Sequence, residues 1–172
     1  MSNLTYTLPI LDQKIIETGA PNQVGVTRPV DLSPARIGTT FTNPDGTQLL
    51  VFAIRSPGAS RLRVQFDSFD LPVGDEVYLH APFDNTTFAG PYRRNGPWRD
   101  RSFWSGSIEG DTVVIEYHFR STPGSLRIPE VAHIYSDSER RRTDPTQEVL
   151  TCELDASCYE DSNKNAVGRI IF

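Results

Sequence analysis

The 172-residue chain contains little of the chemistry that enzymes place in their active sites. It has three histidines and two cysteines. It lacks the G-x-S-x-G turn of hydrolases, the glycine loops that bind phosphates or dinucleotides, and the H-E-x-x-H pair of zinc proteases. We therefore expect no catalytic residue, no metal site and no bound cofactor within this chain.

The few candidate metal ligands are poorly spaced for a metal ion. Catalysis by a metal would require convergence of the three histidines, which lie in or beside predicted strands: His80, His118 and His133. Three aspartates surround one turn without the spacing of a dedicated calcium loop, and we expect them to be solvated: Asp67, Asp70 and Asp75. Glu116 and His118 share the outward face of one strand, where such a pair is usually a surface feature.

Long hydrophobic runs and an excess of positive charge are also absent. No segment is apolar for long enough to cross a membrane, and the first twenty residues do not show the basic and then apolar order of a signal peptide. The net charge of −5 disfavours nucleic acid and anionic membrane as partners. The chain is then either cytoplasmic as it stands or preceded by an export signal upstream of this start.

Alternating apolar and polar residues indicate β-strands through most of the chain. Leu62, Val64 and Phe66 alternate with polar neighbours, and the same two-residue period continues at Val77 and Leu79. It appears again in a run of four apolar residues, Val113, Ile115, Tyr117 and Phe119. At this length the chain can bury a self-sufficient core. We predict an all-β antiparallel sandwich with jelly-roll-like connections.

Thirteen prolines and twelve glycines punctuate these strands. Asn43-Pro44-Asp45-Gly46 predicts a turn before the apolar run Leu49 to Ile54, which has the character of a central strand. The segment Gly25 to Pro34 contains too many prolines for a central strand, so we expect it at a sheet edge. Glu109-Gly110-Asp111 predicts a tight hairpin.

The composition divides the chain into four parts. Residues 1–21 form an N-terminal arm that contains a short helical turn within residues 10–18, and residues 22–135 form the sandwich. Residues 136–150 are almost entirely polar and predict a flexible linker, which includes Arg140, Arg141 and Arg142. Residues 151–172 are apolar again and predict a short strand segment.

A loop in the sandwich interleaves arginines with aromatic residues. Its candidate binding residues are Tyr92, Arg93, Arg94, Trp98, Arg99 and Trp104. Such residues can stack on sugars or bases and grip anions. They can equally form a solvated loop in which arginine covers an aromatic ring. If this loop binds anything, the acidic chain favours a protein surface or a carbohydrate.

The two cysteines, Cys152 and Cys158, have no obvious partner. Five residues separate them, which is weak spacing for a metal site, and a bridge between them would close a very small loop. Partners elsewhere are equally possible, although this chain has no other cysteine.

Two groups of motifs resemble the prodomain and the first mature residues of secreted bacterial serine proteases of the lysyl endopeptidase type. The first group is L-R-V-Q-F-D-S-F-D-L-P-V-G, A-G-P-Y and F-W-S-G-S-I-E-G-D-T-V-V-I-E. The second is C-E-L-D-A-S-C-Y-E-D followed by A-V-G-R-I-I-F. They occur in the order expected for a protease precursor, and the resemblance covers about Arg55 to Phe172.

The resemblance implies a non-catalytic prosegment that assists folding of the protease domain and inhibits it in cis. It also implies a secreted or periplasmic protein and cysteines that pair outside this chain. The polar linker with Arg140, Arg141 and Arg142 is the candidate processing region, with cleavage expected between Arg140 and Thr151. Three arginines in a linker can equally serve only solubility. The chain reaches Phe172 before any residue of a trypsin-like catalytic triad, so on this interpretation it is a fragment of an enzyme precursor and not itself an enzyme. The alternative is a stand-alone β-sandwich module that binds carbohydrate or a protein partner.

Overall fold

The computed structural model describes residues 4–17 and 23–136. Two short helices accompany the strands: α1 (Gln13–Glu17) and α2 (Pro34–Ile37). The strands, in chain order, are β1 (Thr5–Thr7), β2 (Gly25–Leu32), β3 (Thr39–Thr42), β4 (Gln48–Arg55), β5 (Arg61–Asp70), β6 (Glu76–Ala81), β7 (Asp84–Tyr92), β8 (Phe103–Trp104), β9 (Ile108–Glu109), β10 (Thr112–Phe119) and β11 (Ser125–Ile134).

These strands form two facing sheets. The first has the order β1-β4-β10-β6-β7, with β3 also paired to β4, and the second has the order β2-β11-β5-β8, with β9 also paired to β5. All pairs are antiparallel except β1 with β4. The chain passes from the first sheet to the second and back along β4, β5 and β6, and again from β10 to β11. The predicted all-β sandwich is confirmed.

The core lies between the sheets and consists of the alternating apolar residues. The predicted inward side chains of β5, β6 and β10 are buried: Leu62, Val64, Phe66, Val77, Leu79, Val113, Ile115, Tyr117 and Phe119. Phe52 and Ile54 on β4 are fully buried as well. Because β4 has a neighbour on each side, its expected place inside a sheet is confirmed.

Proline shapes the second sheet in two places. Pro29 lies in β2, which is an edge strand, as predicted for this segment. Pro129 lies in β11 between β2 and β5, and the register of β11 shifts between Ile128 and Glu130. A bulge accommodates the missing N–H inside a sheet.

The predicted hairpin at Glu109-Gly110-Asp111 is wrong. Ile108 and Glu109 pair with Leu62 and Arg61 of β5, whereas β10 pairs with β4 and β6 in the other sheet. Gly110, with φ +95°, donates its N–H to the Ser60 carbonyl at 2.8 Å. The tight turn therefore carries the chain from one sheet to the other.

Several predictions lie outside the described residues. They are the polar linker with Arg140, Arg141 and Arg142, the segment 151–172 with its strand, and the pairing of Cys152 and Cys158. In the part of the chain that is described, no helix has the length and hydropathy needed to span a membrane.

Candidate partner-binding surfaces

The loop of residues 93–102, hereafter the arginine loop, is held by its own backbone and by the neighbouring strand β5. Inside it, Gly96 donates to the Arg93 carbonyl at 3.0 Å, and Arg101 donates to the Asn95 carbonyl at 3.1 Å. The Leu71 N–H donates to the Arg94 carbonyl at 2.9 Å, and the Phe69 N–H donates to the Arg101 carbonyl at 3.0 Å. The loop is therefore fixed to the sandwich at two points of its backbone.

Three arginines of this loop adopt left-handed backbone conformations, with φ 53° at Arg94, 60° at Arg99 and 64° at Arg101. Residues other than glycine adopt this conformation at a cost of about 1–2 kcal/mol each. Asp70 helps to stabilise it, because its carboxylate accepts from Asn95 at 3.1 Å and pairs with Arg101 at 3.1 Å. Strain that is held in place by its surroundings often occurs at sites of function.

The structure divides the six predicted binding residues into separate groups. Arg94, Trp98 and Arg99 are exposed on the arginine loop, and Trp98 is 80% exposed. Among the described residues, no carboxylate lies within ion-pair distance of Arg94 or Arg99. These three side chains are available to a partner.

The other three predicted residues have structural contacts. Tyr92 packs against Phe66 and Phe103, and its hydroxyl accepts a hydrogen bond from the Gly106 N–H at 2.7 Å. Burial raises the pKa of the Tyr92 phenol. Arg93 donates to Glu76 at 2.7 Å, and Trp104 lies in β8 on the second sheet.

The outer face of the first sheet carries a carboxylate held by a phenol and a guanidinium. The Tyr78 hydroxyl donates to Glu76 Oε2 at 2.6 Å, while Arg93 donates to Glu76 Oε1. The hydrogen bond from Tyr78 holds the pKa of the Glu76 carboxyl below its ordinary value, with Arg93 acting in the same direction. The same hydrogen bond raises the pKa of Tyr78.

Beside it, Glu116 lies between two imidazoles. The Nε2 atoms of His80 and His118 are each 3.3 Å from a different oxygen of Glu116. The predicted surface pair Glu116 and His118 is therefore real, and β6 supplies a second histidine through its register with β10. The hydroxyl-bearing neighbour of this cluster is Tyr78, whose ring centre lies 5.5 Å from that of His118. Its hydroxyl donates to Glu76 instead of an imidazole.

A serine and a histidine do meet elsewhere, inside the sandwich. Ser56 Oγ lies 2.8 Å from His133 Nδ1, and Arg28 donates to the same hydroxyl at 2.8 Å. Ser56 and His133 are both 0% exposed, so no substrate reaches the hydroxyl. Because Arg28 also donates to the Pro9 carbonyl, the cluster links the N-terminal segment to the two sheets.

The metal-binding candidates do not converge. His133 is buried on β11 of the second sheet, whereas His80 and His118 lie on the outer face of the first. Asp75 is buried and accepts from Tyr117, which corrects the expectation that it is solvated. Across residues 4–17 and 23–136, no three histidine, cysteine or acidic side chains are grouped to hold a metal ion.

A groove on the outer face of the second sheet was not predicted. It has a volume of about 190 Å³, and Arg63 and Trp104 line it together with small or apolar residues of β2 and β11: Gly25, Thr27, Ala132 and Ile134. The guanidinium of Arg63 lies 5.8 Å from the centre of the Trp104 ring. Trp104 was singled out in the sequence, but its partners come from strands that only tertiary structure brings together.

One sequence relative extends over most of the chain. Lysyl endopeptidase of Pseudomonas aeruginosa is 31% identical over 167 residues, which cover 86% of this chain and 34% of the relative. The chain thus spans about a third of the length of that protease. No family model matches.

The similarity to a solved structure is low and partial. An isomalto-dextranase of Arthrobacter globiformis T6, complexed with panose, is 15% identical and overlaps 54% of this chain and 17% of its own, with a TM-score of 0.24. What the comparisons support is a relation between this β-sandwich chain and part of a lysyl endopeptidase.

Proposed function

We propose that this chain is the non-catalytic prosegment of a secreted, lysyl-endopeptidase-like serine protease, which it helps to fold and keeps inactive until cleavage. The observation that carries the proposal is the 31% identity to lysyl endopeptidase over 86% of this chain. The geometry agrees with a binding role, because the exposed side chains of the arginine loop suit a protein surface and the described serine–histidine pair is inaccessible.

The partner in this proposal is a serine protease domain joined to the sandwich in cis. Processing occurs between Arg140 and Thr151, a polar stretch whose three consecutive arginines suit a protease specific for lysine or arginine. Exposed polar segments between folded units are where proteolysis concentrates. The protease acts outside the cytosol, where Cys152 and Cys158 form disulfides with cysteines of the protease domain.

The test is a mixing experiment with the full chain. Mature lysyl endopeptidase of Pseudomonas aeruginosa is denatured and refolded with increasing amounts of this chain, and hydrolysis of a lysine reporter substrate is measured. In parallel, the chain is titrated into the native enzyme. We expect saturable inhibition of the native enzyme and a higher yield of refolded enzyme after the chain is removed.

The positive control is the region of the Pseudomonas protein that aligns with this chain. If that region inhibits the enzyme or assists refolding while this chain does neither at the same concentration, the prosegment proposal is wrong. The alternative function, a stand-alone binding module, predicts that negative result.

A further inference from the structure

We infer that the groove beside Trp104 is the main contact for the protease partner and that it receives an apolar side chain with a neighbouring carboxylate. This inference rests on the proposed function and specifies its binding surface. The arginine loop is the competing surface, and the two can be distinguished experimentally because each contains one of the two tryptophans of the chain.

The groove follows from the register of three strands. Thr27 of β2 pairs with Ala132 of β11, which pairs with Arg63 of β5. The next pair on the same face, two residues further along each strand, is Gly25 with Ile134. Small side chains over β2 and β11 next to the long side chains of Arg63 and Trp104 leave a depression in the sheet surface.

The walls of this depression are fixed before any partner binds. Arg63 Nε donates to the Ser105 carbonyl at 3.0 Å, and Ser105 Oγ accepts from the Val64 N–H at 2.9 Å. Trp104 is held by the pairing of β8 with β5, in register with Gln65. A preformed pocket avoids much of the entropy cost of ordering side chains on binding.

Charge specifies the occupant further. Two other arginines of the second sheet have carboxylate partners, Arg61 with Glu109 at 2.8 Å and Arg127 with Asp31 at 2.7 Å. Arg28 of β2 instead donates to the Ser56 hydroxyl and the Pro9 carbonyl. Within residues 4–17 and 23–136, no carboxylate lies within 4.0 Å of the Arg63 guanidinium. A half-buried guanidinium in an apolar groove is complemented by a carboxylate, with which it forms strong, oriented hydrogen bonds.

Size and composition favour a protein over a sugar. A volume of about 190 Å³ is below the roughly 300–1,000 Å³ of sites for whole small ligands, and the groove offers few polar side chains to sugar hydroxyls. Tryptophan and arginine around an apolar pocket are the residues that dominate the binding energy of protein interfaces. The groove therefore suits one anchoring side chain of a partner protein.

Fluorine NMR on two labelled variants tests the inference. The chain is produced with 5-fluorotryptophan, once as Trp98→Phe, so that Trp104 alone gives a signal, and once as Trp104→Phe, so that Trp98 alone does. Unlabelled mature lysyl endopeptidase of Pseudomonas aeruginosa is then added. We expect the Trp104 resonance to shift or broaden in proportion to the inhibition measured on the same samples.

A matched pair of substitutions provides the second readout. Thr27→Tyr fills the groove from an exposed position on β2, and Thr87→Tyr places the same residue at an exposed position of β7 in the other sheet. Thr27→Tyr should raise the inhibition constant at least tenfold, whereas Thr87→Tyr should leave it within about twofold. Circular dichroism and thermal unfolding verify that both variants fold.

The outcomes separate the two proposals. If the unsubstituted chain inhibits while only the Trp98 resonance responds, or if Thr27→Tyr inhibits as well as Thr87→Tyr, the groove is not the contact and the prosegment function stands. If the unsubstituted chain neither inhibits nor assists refolding while the Pseudomonas control region does, both the function and the groove inference are wrong.

Discussion

The hydroxyl of Tyr117 joins three parts of the sandwich through two hydrogen bonds. Its hydroxyl donates to Asp75 at 2.7 Å and accepts from the Gly124 N–H at 2.6 Å, which joins β10 to the turns before β6 and before β11. Burial and then the bond to Asp75 raise the pKa of the phenol well above its ordinary value. The hydroxyl therefore stays protonated and continues to donate.

Tyr117→Phe should consequently destabilise the chain more than an ordinary loss of one hydroxyl. It leaves the Asp75 carboxylate, 4% exposed, without this donor. We expect a loss of about 3 kcal/mol in the free energy of unfolding, measured by urea denaturation, because an unsatisfied buried charge carries a large desolvation cost. Tyr78→Phe, on the outer face, is the control and should cost about 1 kcal/mol. Equal losses would show that the Asp75 contact contributes little.

Glu76 makes the stability of the fold depend on pH. Its pKa in the folded chain is below the ordinary 4.5, mainly because Tyr78 donates to the carboxylate. A carboxyl with a depressed folded pKa contributes stability above its unfolded pKa and loses it as the pH falls through the folded value. Glu76→Gln should therefore cost roughly 1 kcal/mol at pH 7, and this difference should shrink below pH 4.5. Denaturant titrations at pH 7 and pH 3 measure it; a difference that does not change with pH would contradict this account.

Apolar burial could be predicted residue by residue from the alternation in the sequence, whereas polar burial could not. Leu62, Val64 and Phe66 alternate with polar residues, and alternate side chains of a strand lie on the same face of its sheet. The apolar face of such a strand packs against the core. Ser56 and His133, in contrast, are buried because each supplies the other's hydrogen bond across 77 positions. No local pattern contains that information.

At the scale of single elements, the arginine loop depends on one glycine. Gly96 has φ +81°, and a Cβ at this position would lie 2.5 Å from the Phe103 ring. Gly46 has the same φ of +81° in the β3–β4 turn, but nothing lies within 4 Å of its Cβ position. Substitutions at the two glycines can therefore be compared directly. The backbone strain is equal, and only the Gly96 position has a steric contact, with Phe103.

Gly96→Ala should therefore destabilise the chain more than Gly46→Ala. We expect about 1 kcal/mol for Gly46→Ala from the left-handed backbone alone, and a further loss of about 1–3 kcal/mol for Gly96→Ala because Phe103 must move within the core. Thermal unfolding of both variants gives the comparison. Equal melting temperatures would mean that the loop shifts without strain and is not held against Phe103.

Turn chemistry in the sequence predicted some connections correctly and one wrongly. Asn43 to Gly46 does join β3 to β4 as a hairpin. Glu109-Gly110-Asp111 has equally good turn residues, yet it joins strands of different sheets. A hairpin within one sheet and a connection between two sheets both need a tight turn. At Glu109-Gly110-Asp111 the pairing of the short strand β9 with β5 makes the turn a connection between the sheets. Likewise, the groove depends on the register of β2, β11 and β5, which the sequence does not specify locally.

At the scale of the whole molecule, the arginines differ in how they are presented to a protease. Those of the arginine loop are exposed, but the backbone around them is hydrogen-bonded to Phe69 of β5 and to Leu71, the residue after β5. Arg140, Arg141 and Arg142 lie in a stretch from Ser136 to Glu148 that contains no large apolar residue. Cleavage by a protease requires an extended substrate, so hydrogen-bonded loops resist it until they open.

Brief digestion of the full chain with trypsin should therefore cut first after Arg140, Arg141 or Arg142, and leave the sandwich intact. Intact-mass spectrometry at early times identifies the first products. A chain in which these three arginines are replaced by glutamine should lose that first cut and be digested at least tenfold more slowly. A first cut after Arg94, Arg99 or Arg101 would instead show that the arginine loop opens readily and that its hydrogen bonds to Phe69 and Leu71 do not protect it.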